Sequence, residues 1–168
     1  ILARHGFSFK KQFGQNFITD TNLLRSIVDL AGTDKETSVL EIGCGAGTLT
    51  REIAAAAKSV LAFEIDEKLA PILRETLRDC PNAKVVFRDF LKTDLKTIEQ
   101  QLPDYTVIAN LPYYITSPLV MKFIDESDKA QKLVIMVQDD VAKRFCAREN
   151  TPEYGAIISN NAGGYSFV

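Results

Sequence analysis

Residues 38–47 read Ser-Val-Leu-Glu-Ile-Gly-Cys-Gly-Ala-Gly, a short apolar run followed by glycine at every second position. The run predicts a buried strand, and apolar residues at helical spacing after Gly47 predict a helix. Glycines between a strand and a helix let the backbone approach a ligand closely and direct the first N–H groups of the helix towards it. Strand, turn and helix begin a βαβ unit, so this stretch predicts an α/β fold with a site at the turn.

The rest of the chain repeats this alternation of strands and helices. Asp20 is a good N-cap for a helix of about 11 residues that ends at Gly32. Nearly continuous apolar runs predict strands at residues 38–42, 60–63, 84–87, 105–109 and 132–137. Further helices are predicted after Gly47 and at residues 67–79, 117–125 and 139–148, and residues 165–168 look like the start of another strand. Strands of this kind, separated by helices, predict a parallel sheet covered on both faces.

Composition and charge narrow the class of protein. The 168 residues, 46% apolar and 25% charged, suit one globular domain. No apolar run approaches the roughly 18 residues needed to cross a bilayer, and the basic start is unlike a signal peptide, so we expect a soluble, cytoplasmic protein.

Three widely spaced cysteines and one histidine favour reduced thiols over a disulfide framework or a metal site. A net charge of −2 argues against a surface coated with nucleic-acid-binding charge, apart from a basic arm at the start.

Four polar or glycine residues follow the first four predicted strands. They are Gly43, Glu64, Asp89 and Asn110. Ligands of open parallel sheets bind outside the carboxyl ends of the strands, so we expect these four residues to line one crevice.

The residues of this crevice favour one cofactor over another. The third glycine comes one residue earlier than in a dinucleotide fold, and Glu41 would repel a pyrophosphate but could help to hold an ammonium group, directly or through water. Glu64 could accept both hydroxyls of a ribose, and Asp89 could accept a hydrogen bond from an adenine amino group, with Phe90 against the ring. The set fits S-adenosylmethionine. Taken singly, the glycine turn and an acid at a strand end also occur as plain structural features.

The fourth strand ends in an unusual sequence, Asn110-Leu111-Pro112-Tyr113. The Asn110 amide oxygen and adjacent backbone carbonyls can accept hydrogen bonds from an exocyclic amine and aim its lone pair at a sulfonium methyl group. Tyr113 can stack on the base that carries the amine. These residues predict the reactive end of the site, with a flipped-out base as the acceptor; the alternative is a Pro-ended strand with aromatic packing.

Five motifs in this order resemble the ribosomal RNA adenine N6-methyltransferases, and most closely the dimethyladenosine transferases of small-subunit ribosomal RNA. They occupy residues 10–18, 41–50, 64–66, 89–91 and 110–115. The resemblance implies a Rossmann-like class I methyltransferase that uses S-adenosyl-L-methionine and adds two methyl groups to each of two adjacent adenosines near the 3′ end of that RNA. It implies catalytic residues Asn110, Leu111, Pro112 and Tyr113, no metal, and cofactor contacts at Asn16, Ile18, Gly43, Gly45, Glu64, Ile65, Asp89, Phe90 and Asn110.

The resemblance also implies a domain organisation. Residues 1–18 would form an arm or flap over the cofactor and the target base, and residues 19–168 would form the methyltransferase domain, incomplete at its C-terminal end. The family has a small helical C-terminal domain that grips RNA, and this chain ends at Val168 without it. We therefore expect the chain to bind cofactor but to methylate poorly by itself. The expected partner is small-subunit ribosomal RNA or an immature small ribosomal subunit, with the protein acting as a monomer in ribosome biogenesis.

Three other functions compete with this one. Macrolide-resistance relatives methylate large-subunit RNA and tend to carry Asn-Ile-Pro followed by Phe or Tyr, so Leu111 and the pair Tyr113-Tyr114 favour the small-subunit branch. A non-catalytic ribosome-assembly factor could keep the fold, although the intact motif at Asn110 favours chemistry. A nicotinamide-dependent oxidoreductase is disfavoured by the glycine spacing.

Overall fold

Five parallel strands form one sheet in the computed structural model of the chain, which describes residues 20–102, 104–111 and 113–137. The strands are β1 (Ser38–Ile42), β2 (Ser59–Glu64), β3 (Ala83–Phe87), β4 (Tyr105–Asn110) and β5 (Ala130–Met136), and their order across the sheet is β3-β2-β1-β4-β5. The chain builds outward from β1 to β3 and then returns to the other side of β1. This reversal creates a topological switch point between β1 and β4, where ligand crevices form in such sheets.

Helices cover both faces of the sheet, as the apolar strands predict. They are α1 (Thr21–Leu30), α2 (Thr48–Ala56), α3 (Ala70–Thr76), α4 (Leu95–Glu99) and α5 (Tyr113–Glu126). Because side chains alternate along a strand, Val39 of β1 packs in a core with α1, α2 and α3, whereas Leu40 packs in a second core with α4 and α5. The predicted α/β class, with a parallel sheet between two helical layers, is confirmed.

Helix α1 begins and ends as its sequence predicts. The Asp20 carboxylate accepts hydrogen bonds from the backbone N–H groups of Asn22, at 2.9 Å, and Leu23, at 3.4 Å, which caps the helix. After the helix, Gly32 takes the left-handed conformation with φ of 65°. The Lys132 ammonium of β5 donates to the carbonyl of Ala31 at 3.1 Å, so a cation from the sheet satisfies the C-terminal end of α1.

Three helical regions differ from the predictions. The helix predicted at residues 67–79 is a 3-10 turn (Glu67–Leu69) followed by α3, because Pro71 lies in the first turn of α3, where its missing N–H costs nothing. Helix α5 begins four residues before the predicted start and carries Pro118 inside it. Burial at helical spacing of Thr116, Leu119 and Phe123 offsets the cost of that proline. Helix α4 was not predicted.

Several predictions concern parts of the chain outside the described residues. They are the arm at residues 1–18, the helix at residues 139–148 and the strand at residues 165–168. Within the described ranges, none of the helices combines the length and the apolar character that crossing a membrane requires.

Candidate functional site

The sheet brings the four strand-end residues to one edge. Across the order β3-β2-β1-β4 they follow each other as Asp89, Glu64, Gly43 and Asn110. Neighbouring strands lie about 4.8 Å apart, so the row is about 14 Å long. A backbone hydrogen bond joins the turn after β1 to the end of β2, since the Gly43 N–H donates to the Phe63 carbonyl at 2.9 Å. The predicted neighbourhood of these residues is confirmed, while their roles remain predictions.

Gly43 joins the glycine-rich turn to the end of β4. Its φ is 79°, and a Cβ atom at this position would lie 2.8 Å from Leu111 Cδ2 and 3.3 Å from the Asn110 carbonyl oxygen. The missing side chain therefore lets the segment after β4 pack directly on the turn after β1. This contact lies at the switch point of the sheet, and it brings the residues predicted to hold the donor next to those predicted to hold the acceptor.

The Glu64 carboxylate holds the glycine-rich turn. It is only 5% exposed. Its Oε2 accepts from Gly45 N–H at 2.8 Å, and its Oε1 accepts from Ile65 N–H at 2.8 Å and Asp66 N–H at 2.9 Å. A carboxylate has about four acceptor positions, so three are already used. Accepting both hydroxyls of a ribose, as the sequence predicts, requires Glu64 to give up at least one backbone partner.

Asp89 lies at the outer end of the row and is half-buried. Its Oδ1 accepts from Leu91 N–H at 3.1 Å and caps a 3-10 turn (Phe90–Lys92). Its Oδ2 lies 3.4 Å from the Lys92 ammonium, whose side chain is largely exposed. An ion pair with such an exposed partner is weak. Oδ2 can therefore exchange Lys92 for a ligand amino group.

Phe90 follows Asp89 and packs against two other aromatic rings. It is 5% exposed and packs edge-on against Phe63, with ring centroids 5.1 Å apart, and in a stacked arrangement against Phe123 of α5 at 5.6 Å. The ring packs in the core, and its contact with an adenine remains a prediction. Ile65, which is 55% exposed directly after β2, offers further apolar surface at this edge.

Glu41 is buried beneath the turn, with 1% of its surface exposed. Burial raises the pKa of its carboxyl to about 8; the Thr50 hydroxyl of α2 opposes the rise and the Glu64 carboxylate adds to it. This rise in the pKa favours the protonated form of the carboxyl near neutral pH. The sequence alone does not indicate that Thr50 lies near Glu41, because only the packing of α2 on β1 brings the two together.

The cysteines of the described residues are free thiols. Burial raises the pKa of the Cys44 thiol far above its ordinary value, and the nearby Glu41 and Glu64 carboxyls act in the same direction. Cys44 therefore stays protonated and unreactive in the turn. Cys80 is also free, and Cys146 lies outside the described residues. In residues 20–102, 104–111 and 113–137, no group of three His, Cys, Asp or Glu side chains could hold a metal ion.

Some predicted site residues cannot be placed in this geometry. Asn16, Ile18, Pro112 and the side chain of Tyr113 lie outside the described residues. The backbone of Tyr113 begins α5, directly beyond the segment that contacts Gly43. The next residue, Tyr114, is half exposed in the same first turn and is an aromatic surface that the site prediction left out.

Comparisons with known proteins agree on a family. A sequence model described as ribosomal RNA adenine dimethylase matches residues 6–158. The chain is 53% identical over 161 residues to ribosomal RNA small subunit methyltransferase A of Streptococcus equi subsp. zooepidemicus, covering 94% of this chain and 56% of that protein. The protein of the same name from Streptococcus pyogenes is 52% identical over the same length. The chain thus spans about half the length of the curated relatives it matches.

Solved structures agree with this result. The dimethyladenosine transferase from Plasmodium falciparum has a TM-score of 0.74 and 28% identity, covering 86% of this chain and 51% of that one. The 23S ribosomal RNA methyltransferase ErmE has a TM-score of 0.65 and 34% identity, covering 77% of this chain and 50% of that one. On the match over residues 6–158 and the identity to its relatives, the chain belongs to the ribosomal RNA adenine dimethylase family.

Proposed function

We propose that the protein transfers methyl groups from S-adenosylmethionine to N6 of two adjacent adenosines near the 3′ end of small-subunit ribosomal RNA, giving dimethyladenosine at each. Family membership and 53% identity to a small-subunit methyltransferase support this proposal. One structural observation carries it: Gly43 packs against Asn110 and Leu111, so a methyl donor over the turn would lie beside an amine held at the end of β4.

The residues of the row fit S-adenosylmethionine. Asp89 would hold the adenine amino group, Glu64 the ribose, and the backbone of Gly43 and Gly45 the amino-acid end. The buried Oε2 of Glu41 has no hydrogen-bond partner among the described residues and would suit the ammonium side of that end. The two carboxyl side chains of the row, Glu64 and Asp89, would repel the pyrophosphate of a dinucleotide, whereas they suit a ligand that carries positive charge.

Catalysis in this proposal depends on positioning. Bound at the row, S-adenosylmethionine would supply a methyl group on a positively charged sulfur. The Asn110 amide oxygen and adjacent carbonyls would accept hydrogen bonds from the adenine amine and hold its lone pair towards that methyl group. As the amine nitrogen gains positive charge, the same oxygens would stabilise it, and the displaced proton would leave to solvent.

The acceptor must leave its stack to reach these oxygens. An adenine inside a paired stem hides its amine, so the target would be unstacked or extruded, and Tyr113 would replace the lost stacking. Residues 1–18 would close over the pocket as a flap. We propose that the natural partner is an immature small ribosomal subunit and that the protein acts on it in the cytoplasm as a monomer.

A large-subunit target is the second candidate function. The 34% identity to the 23S ribosomal RNA methyltransferase ErmE supports it. That identity is lower, and it covers 77% of this chain, against 53% over 94% for the small-subunit relative. Leu111 and the pair Tyr113-Tyr114 also favour the small-subunit branch.

Two assays separate the candidates. Calorimetric titration should show binding of S-adenosylmethionine and no binding of NAD; the reverse would favour an oxidoreductase. Methyl transfer by the full-length protein to unmodified small and large ribosomal subunits should then label the small subunit. Donor binding without transfer to either subunit would favour a non-catalytic assembly factor, and labelling of the large subunit would favour the second candidate.

A further inference from the structure

Two buried polar atoms beneath the glycine-rich turn lack hydrogen-bond partners within the described residues. They are Glu41 Oε2 and Thr50 Oγ1. Glu41 is 1% exposed and Thr50 is fully buried. Leaving polar atoms unpaired in a core is costly, and it is costlier still when one belongs to an ionised carboxylate. A proton on the Glu41 carboxyl, or a ligand bound near it, would lower the cost of burying these two atoms.

The groups around Glu41 disfavour its ionised form in the free protein. Burial is the main cause that raises the pKa of Glu41 to about 8, and the charge of Glu64, at the end of neighbouring β2, adds to the rise. The turn contributes the Cys44 thiol, which stays protonated. Strand β4 places the apolar Ile108 beside Glu41, and the Thr50 hydroxyl of α2 opposes the rise in the pKa without cancelling it. Helix α1 turns apolar residues to this core, among them Leu24, Ile27 and Val28.

We propose that Glu41 carries a proton in the free protein and releases it to solvent when S-adenosylmethionine binds, so that donor binding and proton release are coupled. This inference rests on the proposed function. The donor carries a sulfonium and an ammonium group, and the glycine-rich turn lies between its amino-acid end and Glu41. Positive charge at the turn stabilises the ionised carboxyl, and no covalent bond of the donor changes in this step.

The coupling between donor binding and the Glu41 proton determines how donor affinity changes with pH. Below a pKa of about 8 the free protein holds the proton on Glu41, so the donor binds in competition with that proton. Between pH 6 and 7, affinity should rise by up to about tenfold with Glu41 present. At pH 7 the binding of one donor should release nearly one proton from Glu41, and at pH 9.5 almost none. The donor's own amino group, with a pKa near 7.8, takes up a small fraction of a proton at pH 7.

Isothermal titration calorimetry with S-adenosylmethionine in buffers of different ionisation enthalpy counts these protons directly. The protein should release between about 0.6 and 0.9 proton per donor at pH 7, the amino group accounting for the shortfall from one. Glu41→Gln keeps the shape of the protonated side chain but cannot release its proton. This variant should bind more weakly and should show only the small uptake by the donor. The two proteins should differ by nearly one proton at pH 7 and by almost none at pH 9.5.

A matched control is Glu99→Gln, which alters another buried carboxyl far from the turn. Glu99→Gln should bind the donor and release the same number of protons per donor as the parent. If Glu41→Gln releases as many protons as the parent, or if the parent releases none at pH 7, the inference is wrong even though the donor binds. If Glu41→Gln does not fold, net proton release by the parent at pH 7 still decides the question, because the donor's amino group only takes up protons on binding. Absence of any donor binding by the parent would instead refute the proposed function.

Discussion

Asn110 ends β4 at the point where the sheet reverses its order, and its carbonyl packs over Gly43. A neutral amide there can orient an amine without taking its proton. Catalysis of this kind depends on hydrogen-bond geometry more than on a strong base. Under the proposed function, we expect this residue to contribute less to holding the donor than to the methyl transfer.

We expect Asn110→Ala to separate donor binding from turnover. Removing one preorganised hydrogen-bonding group costs roughly 10²- to 10³-fold in rate, so single-turnover methylation should fall by about that factor. Calorimetry should still find donor affinity within about tenfold of the parent. Asn22→Ala, an exposed residue of α1, is the control and should behave like the parent. Near-normal methylation by Asn110→Ala would refute the role assigned to this amide.

Gly43→Ala should weaken donor binding and methylation through a steric clash, without removing any polar group. The new Cβ would lie 2.8 Å from Leu111 Cδ2 on a backbone with φ of 79°, so both the turn and the segment after β4 must shift. We expect donor affinity and methylation to fall at least tenfold, since displacement of about 1 Å at reacting groups can cost about 100-fold.

Gly32→Ala is the matched control for Gly43→Ala. It also has positive φ, of 65°, but its Cβ would meet only the flexible end of Lys132, at 3.2 Å. It should lower stability by about 1 kcal/mol in urea unfolding and leave donor binding intact. Equal donor affinity for Gly43→Ala and Gly32→Ala would contradict the proposed contact between turn and acceptor segment.

Single residues show how far sequence could predict the site. Gly43, Glu64, Asp89 and Asn110 could be placed at one edge because strand ends in a parallel sheet are easily recognised. The burial of Phe90 could not be predicted, because it depends on Phe123 of α5, which lies 33 positions further along the chain. Burial by other elements, which spacing does not encode, decides which way a strand-end side chain faces.

Among the elements, α4 anchors the end of the sheet opposite the site. Its Glu99 carboxylate accepts hydrogen bonds from the Tyr105 hydroxyl of β4 at 2.9 Å and the Ser127 hydroxyl at 2.6 Å. The backbone N–H groups of Asp128, at 3.4 Å, and Lys129, at 3.3 Å, complete the set. Glu99 thereby joins α4, β4 and the loop between α5 and β5. Burial alone would raise its pKa, but these hydrogen bonds outweigh burial and hold the pKa of the Glu99 carboxyl below its ordinary value.

Glu99→Gln should destabilise the protein in a way that depends on pH. A carboxyl whose pKa is lowered by folding stabilises the protein above its unfolded pKa, near 4.3, and loses that contribution as pH falls through the folded pKa. At pH 7, urea unfolding should show a loss of about 2 kcal/mol, because an amide cannot accept all of these hydrogen bonds. The difference from the parent should shrink below pH 4.

The control for this prediction is Glu36→Gln at an exposed position. It should change stability by less than about 0.5 kcal/mol at either pH. A loss for Glu99→Gln that stays constant from pH 7 to pH 3 would contradict the role of its charge.

Strands and helices were not equally predictable from sequence. The five strands are apolar runs bounded by breakers, and each observed strand lies within two residues of its prediction. Helix α4 has five residues, too few for a periodic apolar pattern to stand out. The boundaries of α3 and α5 also differ from the predictions, because local spacing did not place Pro71 in the first turn of α3 or the start of α5 at Tyr113.

At the scale of the whole molecule, the donor side and the acceptor side of the proposed reaction come from different halves of the sheet. Strands β1, β2 and β3 would hold the donor, and β4 with α5 would hold the base. The chain joins them where β1 and β4 pair. With a net charge of −2, this chain offers little general attraction to phosphates, so under the proposed function local contacts would hold the RNA.

Mapping the methylated nucleosides tests directly whether the protein dimethylates two adjacent adenosines of small-subunit ribosomal RNA. Small subunits without the modification would be incubated with the protein and S-adenosylmethionine, and their RNA would be digested and analysed by mass spectrometry. We expect N6,N6-dimethyladenosine at two adjacent positions near the 3′ end, formed at least about 100-fold more slowly when Asn110→Ala replaces the parent. Methyl groups on another base, at another position or only in large-subunit RNA would contradict the proposed function.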